Sequence, residues 1–101
     1  MSQNKSNASF QRTKFTFTGQ NRYIVMDINK RVALADLKFA FAKILNLDFY
    51  CKQLKYRIKN GDTEEELKSF QSLEEQNEKW NRQEQKNNQL EINVDFDDEG
   101  A

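Results

Sequence analysis

The run Leu90-Glu91-Ile92-Asn93-Val94-Asp95-Phe96 alternates apolar and polar residues without a break. A two-residue period puts Leu90, Ile92, Val94 and Phe96 on one face of an extended strand and Glu91, Asn93 and Asp95 on the other. A strand with one face this apolar needs neighbouring strands to pair with and a second layer to cover it. The rest of the chain is therefore read for elements that can supply both.

Two-residue alternation occurs three more times. Phe15 and Phe17 alternate with polar residues in the segment that begins at Thr13, and after Gly19-Gln20-Asn21 the residues Ile24, Met26 and Ile28 do the same. Two such runs around a turn at Gly19 read as a hairpin. Further on, Leu54, Tyr56 and Ile58 share a strand face, and Asn60-Gly61-Asp62 supplies the turn chemistry that ends the strand.

Between these strands the period changes. Leu34, Leu37, Phe41, Ile44 and Leu45 fall three or four residues apart, which is one face of a helix of about three turns. After the Gly-Asp turn comes an acidic run that reads as a loop, and Leu67-Lys68-Ser69-Phe70 reads as a short strand. Ser72 followed three residues later by Glu75 has the capping-box spacing, in which each side chain accepts a hydrogen bond from the other's backbone N–H. The helix it opens carries Leu73, Asn77 and Trp80 on one face, so Trp80 is expected to anchor the core.

The resulting order, ββαββαβ, predicts an α+β fold with a mixed sheet of four to five strands and two helices, one sheet face covered by helix. With a last strand this apolar, its expected place is between the first and third strands. That arrangement is a β-grasp, or ubiquitin-like, roll. A chain of 101 residues suits one domain, and at this size roughly 60–70% of the unfolded chain's surface is buried on folding. Residues 1–12 are polar and predicted to be a disordered leader, 13–96 form the domain, and 97–101 are a solvated acidic tail.

Residue supply rules out most chemistry. The chain has no histidine and one cysteine, Cys51, so Cys–His and Ser–His–Asp nucleophile systems and mixed Cys/His zinc sites have no members. Its three glycines, Gly19, Gly61 and Gly100, are too scattered for a phosphate cradle. Glu64 and Glu66 lie in a polar run that does nothing to shift a carboxylate. No catalytic residue, metal site or cofactor is expected. Cys51 reads as a buried thiol, and the absence of a signal-peptide pattern or long apolar run predicts a cytoplasmic protein without a membrane segment.

Charge is zero overall but unevenly placed. Residues 1–59 hold 12 Lys and Arg against 3 Asp and Glu, a net +9, and residues 60–101 hold 4 against 13, a net −9. Such a split fits either a solvated surface or a contact between one molecule's basic face and another's acidic face. Nucleic-acid binding is not expected. The acidic half would repel phosphates, and alternating phenylalanines fit a core better than stacking platforms.

From Thr13 to Phe96 the chain resembles a Phox-and-Bem-one (PB-one) domain, a ubiquitin-like interaction module. The residues that carry the likeness are Lys14-Phe15-Thr16-Phe17 with the Gly19 turn and Arg22-Tyr23, then Leu54-Lys55-Tyr56 with Gly61-Asp62, then the capped helix and the apolar last strand. It departs from that pattern where Lys59 and Asn60 precede the glycine and in a longer loop after Asp62. The resemblance implies a non-enzymatic scaffold or signalling module that pairs front to back with another such domain or with a second copy, giving head-to-tail oligomers. Lys14 would be the main basic contact and Arg22 its helper. Asp62, Glu64, Glu65, Glu74 and Glu75 would be the acidic side. For Lys14 the plainer alternative is a solvated lysine guarding a strand edge, and for the acidic run a solvated loop. Another ubiquitin-like domain, binding a small GTPase or other acidic partner through the same basic strands, fits the residues as well.

Overall fold

The computed structural model describes residues 9–46, 54–81, 83 and 88–96. Its strands are β1 (Phe10–Phe17), β2 (Arg22–Asn29), β3 (Leu54–Asn60), β4 (Thr63–Leu67) and β5 (Leu90–Phe96). A 3-10 turn at Leu34–Asp36 leads into helix α1 (Leu37–Leu45), and helix α2 (Asn77–Trp80) is a single turn.

The five strands form one mixed sheet in the order β2-β1-β5-β3-β4. The last strand runs parallel to β1 and antiparallel to β3, the central position expected from its alternation. Leu90, Ile92 and Val94 are fully buried on its inner face. The architecture is the ubiquitin-like β-grasp: two antiparallel hairpins joined through a central strand, with α1 laid over one face. Each inner strand contributes large side chains to a single core. Phe41 of α1 meets Phe15 and Phe17 of β1 edge-on, with ring centroids 4.9 and 5.1 Å apart, a geometry that adds to the area they bury.

Several local features differ from the sequence expectations. Residues 10–12, expected in the leader, are the start of β1, because Phe10 pairs with Asn29 and Lys30 donates its N–H to the Ser9 carbonyl at 3.0 Å. In the first turn the left-handed residue is Asn21 (φ 55°). The acidic run is not a loop. Residues Gly61 and Asp62 make a two-residue turn, Thr63 pairs with Asn60, and the glutamates continue as β4. The short strand therefore ends at Leu67 and Lys68–Phe70 form the following turn, with no longer loop after Asp62.

Glutamate is a poor strand former, so the register explains why this strand exists. Glu64 pairs with Lys59 and Glu66 with Arg57, while Leu67 faces Tyr56 in the core. Opposite charges across an antiparallel pair contribute roughly 0.2–1 kcal/mol each. Helix α1 buries Leu37, Phe41 and Leu45, with Leu34 in the 3-10 turn, but leaves Ile44 exposed on its flank.

The segment from Lys68 to Trp80 is tied down by polar side chains. The capping box forms: Ser72 N–H donates to Glu75 Oε1 at 2.9 Å and Glu75 N–H to Ser72 Oγ at 3.2 Å. Trp80 is buried, and its indole N–H donates to the Leu73 carbonyl at 2.7 Å. The residue that joins Leu73 and Trp80 inside is Gln76; Asn77 is exposed. The Gln76 amide replaces a strand partner for Lys68, accepting from its N–H at 2.8 Å and donating to its carbonyl at 2.9 Å. Cys51, residues 1–8 and the tail at 97–101 lie outside the described residues.

Candidate interaction surface

With helix on one side, the other face of the sheet meets solvent, and strand alternation sets what it displays. On β1 the outer row is Phe10, Arg12, Lys14 and Thr16, since Thr13, Phe15 and Phe17 point inward. Lys14 lies opposite Val25 on β2 and beside Glu91 on β5. Its ammonium sits 4.6 Å from the centre of the Tyr23 ring, a cation–π contact. Lys14 makes no ion pair among the described residues.

Position on the sheet bears on the plainer reading of Lys14. A lysine guards an edge only if its strand is one, and β1 is paired on both sides, to β2 and β5. The edges are β2 and β4. It is the glutamates of β4, not Lys14, that occupy an edge and shield it from pairing with another chain.

Arg22 does not join Lys14. It pairs with Phe17, whose side chain is in the core, so alternation places Arg22 on the opposite face of the hairpin from Lys14. It is exposed at the first position of β2. The outer-face guanidinium nearest in sequence is Arg12, which is paired with Asp27 at 3.1 Å.

The expected acids are spread over several environments. Asp62 is exposed at the second turn position. Glu64 is on the outer face and binds Arg57 at 3.0 Å. Glu65, on the opposite face of the same strand, accepts from Asn60 Nδ2 at 3.0 Å. Glu74 lies 3.6 Å from Arg31, and Glu75 belongs to the capping box. Arg57 is the hub of the outer face on that side, since it also pairs with Asp95 of β5, which in turn accepts from Thr18. Among the described residues no cluster of three or more Cys, Asp or Glu is arranged to hold a metal, and no helix is long and apolar enough to cross a membrane.

Sequence reasoning missed two amide clamps. Pairing between β3 and β5 stops at Arg57 opposite Asn93. Beyond it the Gln83 side chain bridges the two strands, donating to the carbonyls of Lys59 and Glu91 at 3.0 and 3.1 Å and accepting from Glu91 N–H at 2.9 Å. Gln76 performs the equivalent role for Lys68. The abundance of Gln and Asn was the available signal, and its use here is structural.

No protein-family model and no curated protein sequence matches the chain. Among solved structures it is similar to the C-terminal ubiquitin-like domain of mouse tubulin-specific chaperone e, at 13% identity over 88% of each chain with a TM-score of 0.58. At that identity the likeness is one of fold. The class so defined is the ubiquitin-like β-grasp fold.

Proposed function

We propose that this domain is a non-enzymatic protein-interaction module of the PB-one kind, working in a cytoplasmic scaffold or signalling protein and pairing front to back through opposite charges. The observation that carries the reading is the placement of charge at opposite ends of one sheet. Strands β1 and β2 with their turn hold Arg12, Lys14 and Arg22 against Asp27, a net +2, while β3 and β4 with their turn hold Asp62, Glu64, Glu65 and Glu66, all on β4 and the turn, against Lys55, Arg57 and Lys59 of β3, a net −1. The two ends are separated by β5 and β3, so one molecule's basic end can meet another's acidic end without closing on itself.

Lys14 is the central basic contact, because its charge has no carboxylate partner among the described residues. Arg22 contributes at the rim from the other face. On the acidic side Asp62 and Glu64 are the main contacts; Glu64 exchanges Arg57 for the incoming lysine at little cost, since an exposed pair contributes about 0.2–1 kcal/mol. Glu65, Glu74 and Glu75 keep their internal partners.

Sedimentation velocity over a wide concentration range, at low and high salt, tests this. Wild type is expected to form oligomers that dissociate at high salt, where the Debye length shrinks to about 3 Å at 1 M. Lys14→Glu and the double variant Asp62→Lys/Glu64→Lys should each be monomeric. Mixed together they should form a heterodimer that grows no further, because each retains one good face. A wild type that stays monomeric at all concentrations rejects self-pairing and leaves an acidic partner of another kind, such as a small GTPase, for Lys14.

A further inference from the structure

We infer that Tyr23 and Val25 form the apolar centre of the contact around Lys14, and that the surface they dock against is the acidic β4 end of a second copy. The inference rests on the front-to-back reading and adds what charge alone does not supply. Exposed ion pairs are individually weak and weaken further as salt rises, so the few that Lys14 and its neighbours can form do not by themselves hold two copies together. Buried apolar area has to make up the difference.

The outer face provides that area at the right place. In a sheet with one solvated face the outward positions are normally polar, yet here Tyr23 is 63% exposed and Val25 44% exposed. Val25 lies directly across from Lys14, and the Tyr23 ring carries its ammonium. The Arg12–Asp27 pair bounds the patch on one side with a neutralised polar rim. An aromatic and an aliphatic residue around one charge, ringed by polar groups, is the composition of an interface hot spot.

Charge complementarity selects the occupant. Among the described segments, β4 with its turn is the run with four acids and no base. It also brings an apolar residue, because Phe70, three residues beyond the end of β4, is 72% exposed. A second copy therefore offers carboxylates for Lys14 at the turn end of β4, with Phe70 exposed beyond its other end.

The test is sedimentation velocity on wild type, Tyr23→Ser, Val25→Ser and Lys14→Gln across a salt series, with thermal melts to establish that each variant is folded. Both apolar variants should weaken association by about five- to tenfold at every salt concentration. Their salt dependence should run parallel to that of wild type, whereas Lys14→Gln should flatten it. If wild type associates and both serine variants match it, the apolar centre is rejected while front-to-back pairing stands. If wild type does not associate at any salt concentration, both are rejected together.

Discussion

The two hairpins of this sheet occupy equivalent places, each ending in an edge strand, and handle charge in opposite ways. In the β3–β4 hairpin, Arg57 binds Glu64 and Asp95, and Asn60 binds Glu65. Of its four carboxylates, Glu64 and Glu65 are committed within the fold. In the β1–β2 hairpin the charges are fewer, but Lys14 faces solvent over an aromatic ring with no carboxylate partner among the described residues. The difference teaches that a charge count along the sequence says little about which charges are available. Register decides that, because it sets which opposite charges share a face.

The hairpins are also anchored differently, and the largest expected effect lies there. The first is held by aromatic packing of Phe41 against Phe15 and Phe17. Phe41→Ala should cost about 3–5 kcal/mol, the range for truncating a buried aromatic, read by urea denaturation. Hydrogen exchange in the variant should show β1 and β2 losing protection before β3 and β4. Uniform loss across the sheet would mean that the two hairpins share one anchor, and the comparison would break.

The second hairpin packs Tyr56, Ile58 and Leu67 into the same core and adds a polar tie. Tyr56 of β3 is buried and donates its hydroxyl proton to the Leu34 carbonyl at 2.9 Å. Tyr56→Phe removes that hydrogen bond while the Leu34 carbonyl keeps the Leu37 N–H as a donor, and should cost up to about 1.5 kcal/mol. Burial raises the Tyr56 phenol above its ordinary range, so the folded state keeps a proton that the unfolded chain releases near pH 10. The stability this contributes is fully present below about pH 10 and is lost as pH rises toward the folded-state value. Alkaline denaturation should therefore begin at higher pH in Tyr56→Phe than in wild type, measured relative to each protein's neutral-pH stability. Identical alkaline slopes would show that the phenol gains water access.

What could be read from the sequence follows the same contrast. The path of β5 was legible because one unbroken alternation is satisfied by burial on one face and by neighbours on both sides. The acidic strand was not, since glutamate argues against a strand locally and only the partner across the ladder overrides it. The signal was present: counting back from a two-residue turn at Gly61-Asp62 sets Glu64 against Lys59, Glu66 against Arg57 and Leu67 against Tyr56. The sequence pairing of Arg22 with Lys14 fails for a related reason. Which face Arg22 takes depends on the four-residue length of the first turn, and Gly19 marks the turn without setting its length. Gln76 and Asn77 are equally compatible with helical spacing next to Leu73 and Trp80. Which one enters the core is settled by the unpaired backbone of Lys68, a tertiary fact.

The smallest effect separates the two turns themselves. Gly61 has φ of +66° in a two-residue connection, where any side chain is strained. Gly19 sits in the four-residue turn, where an added Cβ would meet nothing within 4 Å, and its backbone is not left-handed, because Asn21 takes that conformation. Gly61→Ala should cost about 1–2 kcal/mol, the penalty for an L-residue in the left-handed region. Gly19→Ala should be neutral or stabilise by up to about 1 kcal/mol, since it reduces the freedom of the unfolded chain alone. Paired denaturant titrations read both. Equal costs at the two positions would mean that the first turn also needs glycine's freedom, and Asn21→Ala would then be as mild as Gly19→Ala is expected to be.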